Sequence, residues 1–138
     1  MMRRAFHSVL ALGLFAAVGT GCASRYKMDA KAPTHAAHAK MKVKVNRDDL
    51  RELNVSVDHL APPHRLGPNY KAYAVWIAVP GHGVTKLGLL DYSEKRRRGT
   101  LKATTPHSKF EVIITLETNS SASAPSPDVI VQKIVGRA

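Results

Sequence analysis

The stretch that decides the fold is YKAYAVWIAV, Tyr70 to Val79, which is apolar at nearly every position. A strand that is buried on both faces and a buried helix share this pattern. The β-branched and aromatic residues of the stretch, together with Pro80 and Gly81 directly behind it, favour the strand. We therefore predict a central strand that contributes Tyr73 and Trp76 to the core.

On both sides of this stretch, apolar residues alternate with polar ones, as in strands that bury one face. The clearest alternation begins at Phe110, which we also assign to the core, whereas the Pro-rich segment Ala61 to Asn69 is a connection. Segments at this spacing predict an all-β fold, an antiparallel immunoglobulin-like β-sandwich of about seven strands over residues 41–138. The predicted strands are KMKVKV, LRELNVSVDHL, YKAYAVWIAV, VTKLGLLDY, TLKATT, KFEVIITLE and VIVQKIV.

Several features of this domain follow one another in a fixed order. They are Tyr73 with Trp76, a turn bearing Gly81 and Gly83, the pair Leu87 and Gly88, and a strand ending in Thr115-x-Glu117 before a Ser/Pro loop. From Tyr70 to Ile134 this order resembles the extracytoplasmic C-terminal domain of anti-sigma-K factors. The resemblance implies a β-sandwich. It does not imply sigma-factor regulation, because that family binds its sigma factor through a cytoplasmic segment joined by a transmembrane helix, and we find neither here.

The N-terminal segment has the three parts of a signal peptide. Arg3 and Arg4 supply the positive region, Val9 to Val18 the apolar run, and GTGC the processing site. The apolar run is about half as long as the ~20 residues that a transmembrane helix needs. Residues 1–21 are therefore predicted to be a leader that ends directly before Cys22, the only cysteine of the chain.

An apolar run, small residues and then a cysteine resemble the lipobox of bacterial lipoproteins. The resemblance implies that the sulfur of Cys22 receives a diacylglyceryl group and that Cys22 becomes the first residue of the mature chain. Gly19 stands where the family usually has Leu. Ala23 stands where an inner-membrane retention signal would have Asp, which favours the outer membrane, facing the periplasm. The alternative is a leader cut elsewhere, which would release a periplasmic protein with an unused thiol.

Residues 22–40 are predicted to be a flexible basic linker, because they have no sustained apolar periodicity. Such a linker would reach about 20 to 25 Å and would lift the domain off the lipid surface. Two roles are open for its basic residues: they lie against lipid phosphates, or they keep the linker soluble. These residues are Arg25, Lys27, Lys31 and Lys40.

The chain has 21 Lys and Arg against 10 Asp and Glu, a formal net charge of +11, which favours an anionic partner. The densest basic group lies on a predicted hairpin tip, where guanidinium groups can form paired bonds to phosphates or carboxylates. In an envelope protein the candidates are lipopolysaccharide, peptidoglycan or an acidic partner protein, and nucleic acid is not expected. Alternatively the tip is a solubilising device that protects sheet edges. The tip contains Lys95, Arg96, Arg97 and Arg98.

We expect no enzymatic activity, cofactor or metal. The sequence has no GxSxG elbow, HExxH motif, Gly-rich phosphate loop or EF-hand pattern, and one cysteine cannot form an intrachain disulfide. A periplasmic hydrolase, the remaining alternative, would need His64 and His82 to meet at one end of the sandwich. The sequence thus favours a non-enzymatic envelope lipoprotein that presents a β-sandwich binding or assembly module to the periplasm.

Overall fold

The computed structural model describes residues 22–136, so the predicted leader lies outside the described residues. The described part of the chain forms nine strands and one short helix. In chain order these are β1 (Ser24–Asp29), β2 (His38–Val45), β3 (Arg51–Asp58), α1 (Pro63–Leu66), β4 (Ala72–Val79), β5 (Gly83–Leu89), β6 (Asp91–Ser93), β7 (Arg98–Thr105), β8 (Phe110–Glu117) and β9 (Val129–Val135).

The strands form two antiparallel sheets. Sheet A has the order β1-β2-β3-β7-β6, and sheet B has the order β5-β4-β8-β9. Side chains from both sheets meet in one apolar core, which includes Leu53 and Val55 of sheet A and Tyr73, Phe110 and Ile114 of sheet B. The arrangement is consistent with a β-sandwich and confirms the prediction of an all-β, antiparallel fold.

The prediction of a flexible linker over residues 22–40 is wrong. Strand β1 pairs with β2 along its whole length, from Ser24 opposite Val43 to Asp29 opposite His38. Its Met28 side chain is only 4% exposed. Because β1 offers just two inward side chains, Tyr26 and Met28, between charged ones, its alternation is too short to stand out in the sequence. The folded domain therefore begins at Ser24 and not at residue 41.

The segment after β1 joins the two sheets. Ala30 forms an isolated bridge with Val131, and the Lys31 amide donates a 2.7 Å hydrogen bond to the Ile130 carbonyl. The turn that follows is held by the Thr34 hydroxyl, which donates to the Lys31 carbonyl at 2.9 Å. This part of the predicted flexible linker thus closes one side of the sandwich.

The predicted strand VTKLGLLDY is two strands, β5 and β6, which belong to different sheets. The chain crosses between the sheets at Leu90, whose side chain is buried and whose amide donates to the Tyr73 carbonyl at 2.9 Å. Gly99 on the neighbouring β7 leaves space for this crossing, since a Cβ there would lie 2.9 Å from Leu90 Cδ1. This division and β1 raise the strand count in residues 22–136 from about seven to nine.

Strand β4 is interior to sheet B and is buried on both faces. Tyr73, Val75 and Ile77 point into the core between the sheets. Trp76 is fully buried as well, but its side chain lies on the opposite face of sheet B and not in that core. The long β8–β9 loop packs over this outer face, where Lys86 Nζ donates to the carbonyls of Ser120 and Ala122 at 2.8 and 3.0 Å.

Candidate functional site

Cys22 is exposed and carries a free thiol. Only Ala23 separates it from β1, and the pairing of Ser24 with Val43 places the cysteine at the end of sheet A that carries the β2–β3 turn. A group attached to the sulfur would therefore hold this end of the sheet directly, without a spacer.

The four cations of the predicted basic tip do not all lie in the β6–β7 turn. Lys95, Arg96 and Arg97 lie exposed in the β6–β7 turn, and Arg97 adopts a left-handed backbone conformation with φ of 50°. Arg98 is instead the first residue of β7, where its guanidinium forms an ion pair with the Asp58 carboxylate. Three of the four cations thus project at the turn, and the fourth is engaged with the sheet.

The Arg98–Asp58 pair changes the titration of both groups. The hydrogen bond from Arg98 holds the pKa of the Asp58 carboxyl below its ordinary value, although partial burial of the carboxyl opposes this effect. The same bond raises the pKa of the Arg98 guanidinium. Asp58 therefore stays ionised to lower pH than an isolated aspartate.

The histidines do not assemble as a hydrolase would require. His64 lies in α1, before β4, whereas His82 follows β4, so a strand of about 27 Å separates them. His82 instead lies beside His107, with ring centroids 5.3 Å apart, and His38 lies beside His59 at 5.6 Å. The two histidine pairs stand at different places on the surface, and neither includes the predicted pair.

Within residues 22–136, no helix is long and apolar enough to cross a membrane. The same residues contain no group of three or more His, Cys, Asp or Glu side chains placed to hold a metal ion. No protein-family model, curated protein or solved structure matches the chain. What the protein does is therefore inferred from its own residues.

The structure shows a buried polar network that the sequence analysis missed. The Trp76 indole donates to the Thr115 hydroxyl at 2.8 Å, and that hydroxyl donates to Glu117 Oε1 at 2.5 Å. The same carboxylate oxygen accepts the Ser126 amide at 2.9 Å, which ties the β8–β9 loop to the sheet. The Lys86 ammonium lies 5.5 Å from the centre of the Trp76 ring and covers it from solvent. The network fixes the loop over the outer face of sheet B.

A second feature that the sequence analysis missed is a cluster of cations on the outer face of sheet A, which we call the basic face. Alternation in KMKVKV does place Lys40 and Lys42 on one side of β2. The sequence gives no sign that β1 and β7 would add cations beside them, since β1 has too short a pattern to be recognised as a strand. The basic face comprises Arg25, Lys27, Lys40, Lys42 and Lys102, all exposed.

Proposed function

We propose that the chain is a non-enzymatic lipoprotein of the bacterial cell envelope, held in the membrane through an acylated Cys22. Its β-sandwich then serves as a binding or assembly module that faces the periplasm, on the outer membrane. The observation that carries this proposal is the position of Cys22: the residue is exposed, follows a lipobox-like leader, and is separated from the first strand by Ala23 alone.

The strand order supports an immunoglobulin-like arrangement for this module. The order β2-β3-β7-β6 corresponds to strands A, B, E and D of that fold, and β5-β4-β8-β9 corresponds to C′, C, F and G. Strand β1 is an addition at the edge of the first sheet. The chain departs from antibody domains in two respects: it has a single cysteine, and the Trp76 side chain of β4 faces outward.

Metabolic labelling with an alkyne fatty acid tests the anchor. The wild-type chain is expected to incorporate the label and to fractionate with membranes, whereas Cys22→Ser should do neither. The double variant Cys22→Ser/Ser24→Cys is the matched control, because it keeps one exposed thiol but moves it by two positions and out of the lipobox-like context. Label or membrane retention in the Cys22→Ser chain equal to wild type would contradict the anchor.

A second candidate function is binding of lipopolysaccharide or peptidoglycan through the β6–β7 tip. The exposure of Lys95, Arg96 and Arg97, at the end of sheet A away from Cys22, favours it. Replacing these three residues with Ala should weaken salt-sensitive binding to purified lipopolysaccharide. Arg98→Ala alone is the control, since its guanidinium already pairs with Asp58; binding unchanged in the triple variant would exclude the tip.

A further inference from the structure

The basic face is built by the register of sheet A. Two neighbouring rows of outward side chains cross the sheet, and within these rows β1, β2, β3 and β7 contribute no carboxylate. One row is Arg25–Lys42–Asn54–Lys102, and the other is Lys27–Lys40–Ser56–Thr100. Glu52 stands in the flanking row on one side, and Asp29 and Asp58 stand in the flanking row on the other. Asp91 of the outer strand β6 continues the second row beyond Thr100.

This pattern is unfavourable for the fold itself. Lys27 is directly opposite Lys40, and Arg25 is directly opposite Lys42, and like charges at such cross-strand positions destabilise a sheet. None of the five cations forms an ion pair with a described carboxylate. Lys40 does help to lower the pKa of Asp58, but that carboxylate is hydrogen-bonded to Arg98. No ion pair with a described carboxylate therefore offsets the repulsion between the opposed cations.

Protection of a sheet edge does not account for the pattern. Lysines on an edge strand do prevent pairing with other chains, and β1 is an edge strand. However, Lys40 and Lys42 lie on β2, where they have a hydrogen-bonded strand on each side, whereas Lys102 lies beyond the part of β7 that pairs with β6. The charges of Lys40 and Lys42 protect no edge, so the basic face calls for a different explanation.

The shape and spacing of the basic face suit an array of phosphate groups. A half-open depression of about 520 Å³ lies over it, lined by all five cations and by the neutral side chains of Asn54, Ser56 and Thr100. Cross-strand neighbours are about 5 Å apart and residues two positions apart on a strand about 7 Å. Ammonium and guanidinium groups at this spacing can bind several phosphates at once, and the neutral side chains can add hydrogen bonds.

We propose that the basic face is a docking surface for the anionic headgroups of a phospholipid bilayer. The position of Cys22 favours a lipid surface over a dissolved polymer, because Arg25 lies only three positions after the sulfur-bearing residue, a reach of at most about 11 Å. In this respect the inference rests on the proposed anchor: acylation would bring the basic face to the headgroups, and the basic face would then hold the sandwich flat against them.

Flotation with phospholipid vesicles tests the proposal independently of acylation. All proteins are full chains that carry Cys22→Ser, and the vesicles contain phosphatidylcholine alone or phosphatidylcholine with an equal part of phosphatidylglycerol. The face variant removes four cations of the basic face, and the control variant removes four exposed cations elsewhere. The face variant is Lys27→Gln/Lys40→Gln/Lys42→Gln/Lys102→Gln; the control is Arg65→Gln/Lys71→Gln/Lys109→Gln/Lys133→Gln.

The Cys22→Ser parent is expected to bind the phosphatidylglycerol vesicles, and high salt should weaken this binding. The face variant should bind them at least about a hundredfold more weakly, since each lysine near an anionic surface contributes about fivefold. The control variant should remain within about threefold of the parent. The face variant should also melt at the same temperature as the parent or higher, because the opposed charges are removed.

Equal losses in the two variants, or full binding by the face variant, would overturn the proposal. So would binding of soluble polyphosphate, but not of vesicles, through the same residues, because the ligand would then be a dissolved polymer. If the fourfold variant does not fold, Lys42→Glu alone should lower vesicle binding about tenfold, and unchanged binding would overturn the proposal. A failed anchor would appear instead as missing acyl label on the wild-type chain, so the two failures are distinguishable.

Discussion

Trp76 is the residue where local pattern and tertiary structure differ most clearly. Its apolar surroundings in the sequence predict a core position, and the side chain is indeed fully buried. It is buried, however, by the β8–β9 loop and Lys86 on the outer face of sheet B. Alternation within β4 assigns Trp76 to that face, but no local pattern shows that a loop 40 or more positions later in the chain will cover it.

Glu117 is expected to stabilise the loop over Trp76. Its carboxylate is 3% exposed and accepts hydrogen bonds from the Thr115 hydroxyl and the Ser126 amide. Glu117→Ala leaves these donors without an acceptor and should lower the free energy of unfolding by about 1–3 kcal/mol. Urea unfolding monitored by Trp76 fluorescence measures this. The exposed Glu94→Ala is the control, and equal midpoints for the two variants would contradict the role of Glu117.

Asp58 should make the free energy of unfolding depend on pH in the acidic range. Because its pKa is lowered in the folded state, its contribution is present above the unfolded pKa of about 3.9 and is lost as the pH falls through the folded pKa. Asp58→Asn should therefore be less stable than wild type at neutral pH, and the difference should vanish in strong acid. Urea midpoints across this pH range test the point, with the exposed Asp48→Asn as control; a difference that persists in strong acid would refute it.

At the scale of elements, the long strands were predictable and β1 was not. Strands β2 and β3 alternate along most of their eight residues and β8 along its first five, enough for their period to be recognised. Strand β1 has six residues and only two inward apolar side chains, and its position is specified by pairing with β2. The sequence also did not show that β5 and β6 are separate strands. The apolar run continues through buried Leu90 at the point where the chain crosses from sheet B to sheet A.

The packing of β1 gives a direct test of this element. Met28 is buried, whereas Lys27 beside it is exposed. Met28→Ala should lower the free energy of unfolding by about 2 kcal/mol or more, as for other truncations of buried side chains. Lys27→Ala should cost nothing measurable. Chemical denaturation provides both values, and a silent Met28→Ala variant would mean that residues 24–29 do not contribute to the folded domain.

At the scale of the whole molecule, composition and spacing were sufficient to predict two antiparallel sheets around one core. The basic face was not predictable, because it depends on the registers among β1, β2, β3 and β7, which bring residues up to 77 positions apart in sequence into one row. The net charge indicated an anionic partner but not where on the protein that partner would bind. The densest run of cations in the sequence lies at the tip, and there one of its members is paired with Asp58.

Because both sheets share one core, the sandwich should unfold as a single unit. Leu53 is buried in sheet A, and Trp76, the only tryptophan, reports on sheet B. Leu53→Ala should cost about 2–5 kcal/mol and should shift the urea midpoints of tryptophan fluorescence and of circular dichroism equally. The exposed Lys102→Ala is the control. Separate midpoints for the two signals would show that the sheets unfold independently.

The position of β1 also determines how the molecule would carry a mechanical load. Its pairs with β2, from Ser24–Val43 to Asp29–His38, form hydrogen bonds that lie across the strand direction. A force applied at Cys22 along the strand would act on these bonds together, in shear, and would not open them one after another. Tension at that end of the chain would thus be shared across the whole of β1 and passed into sheet A.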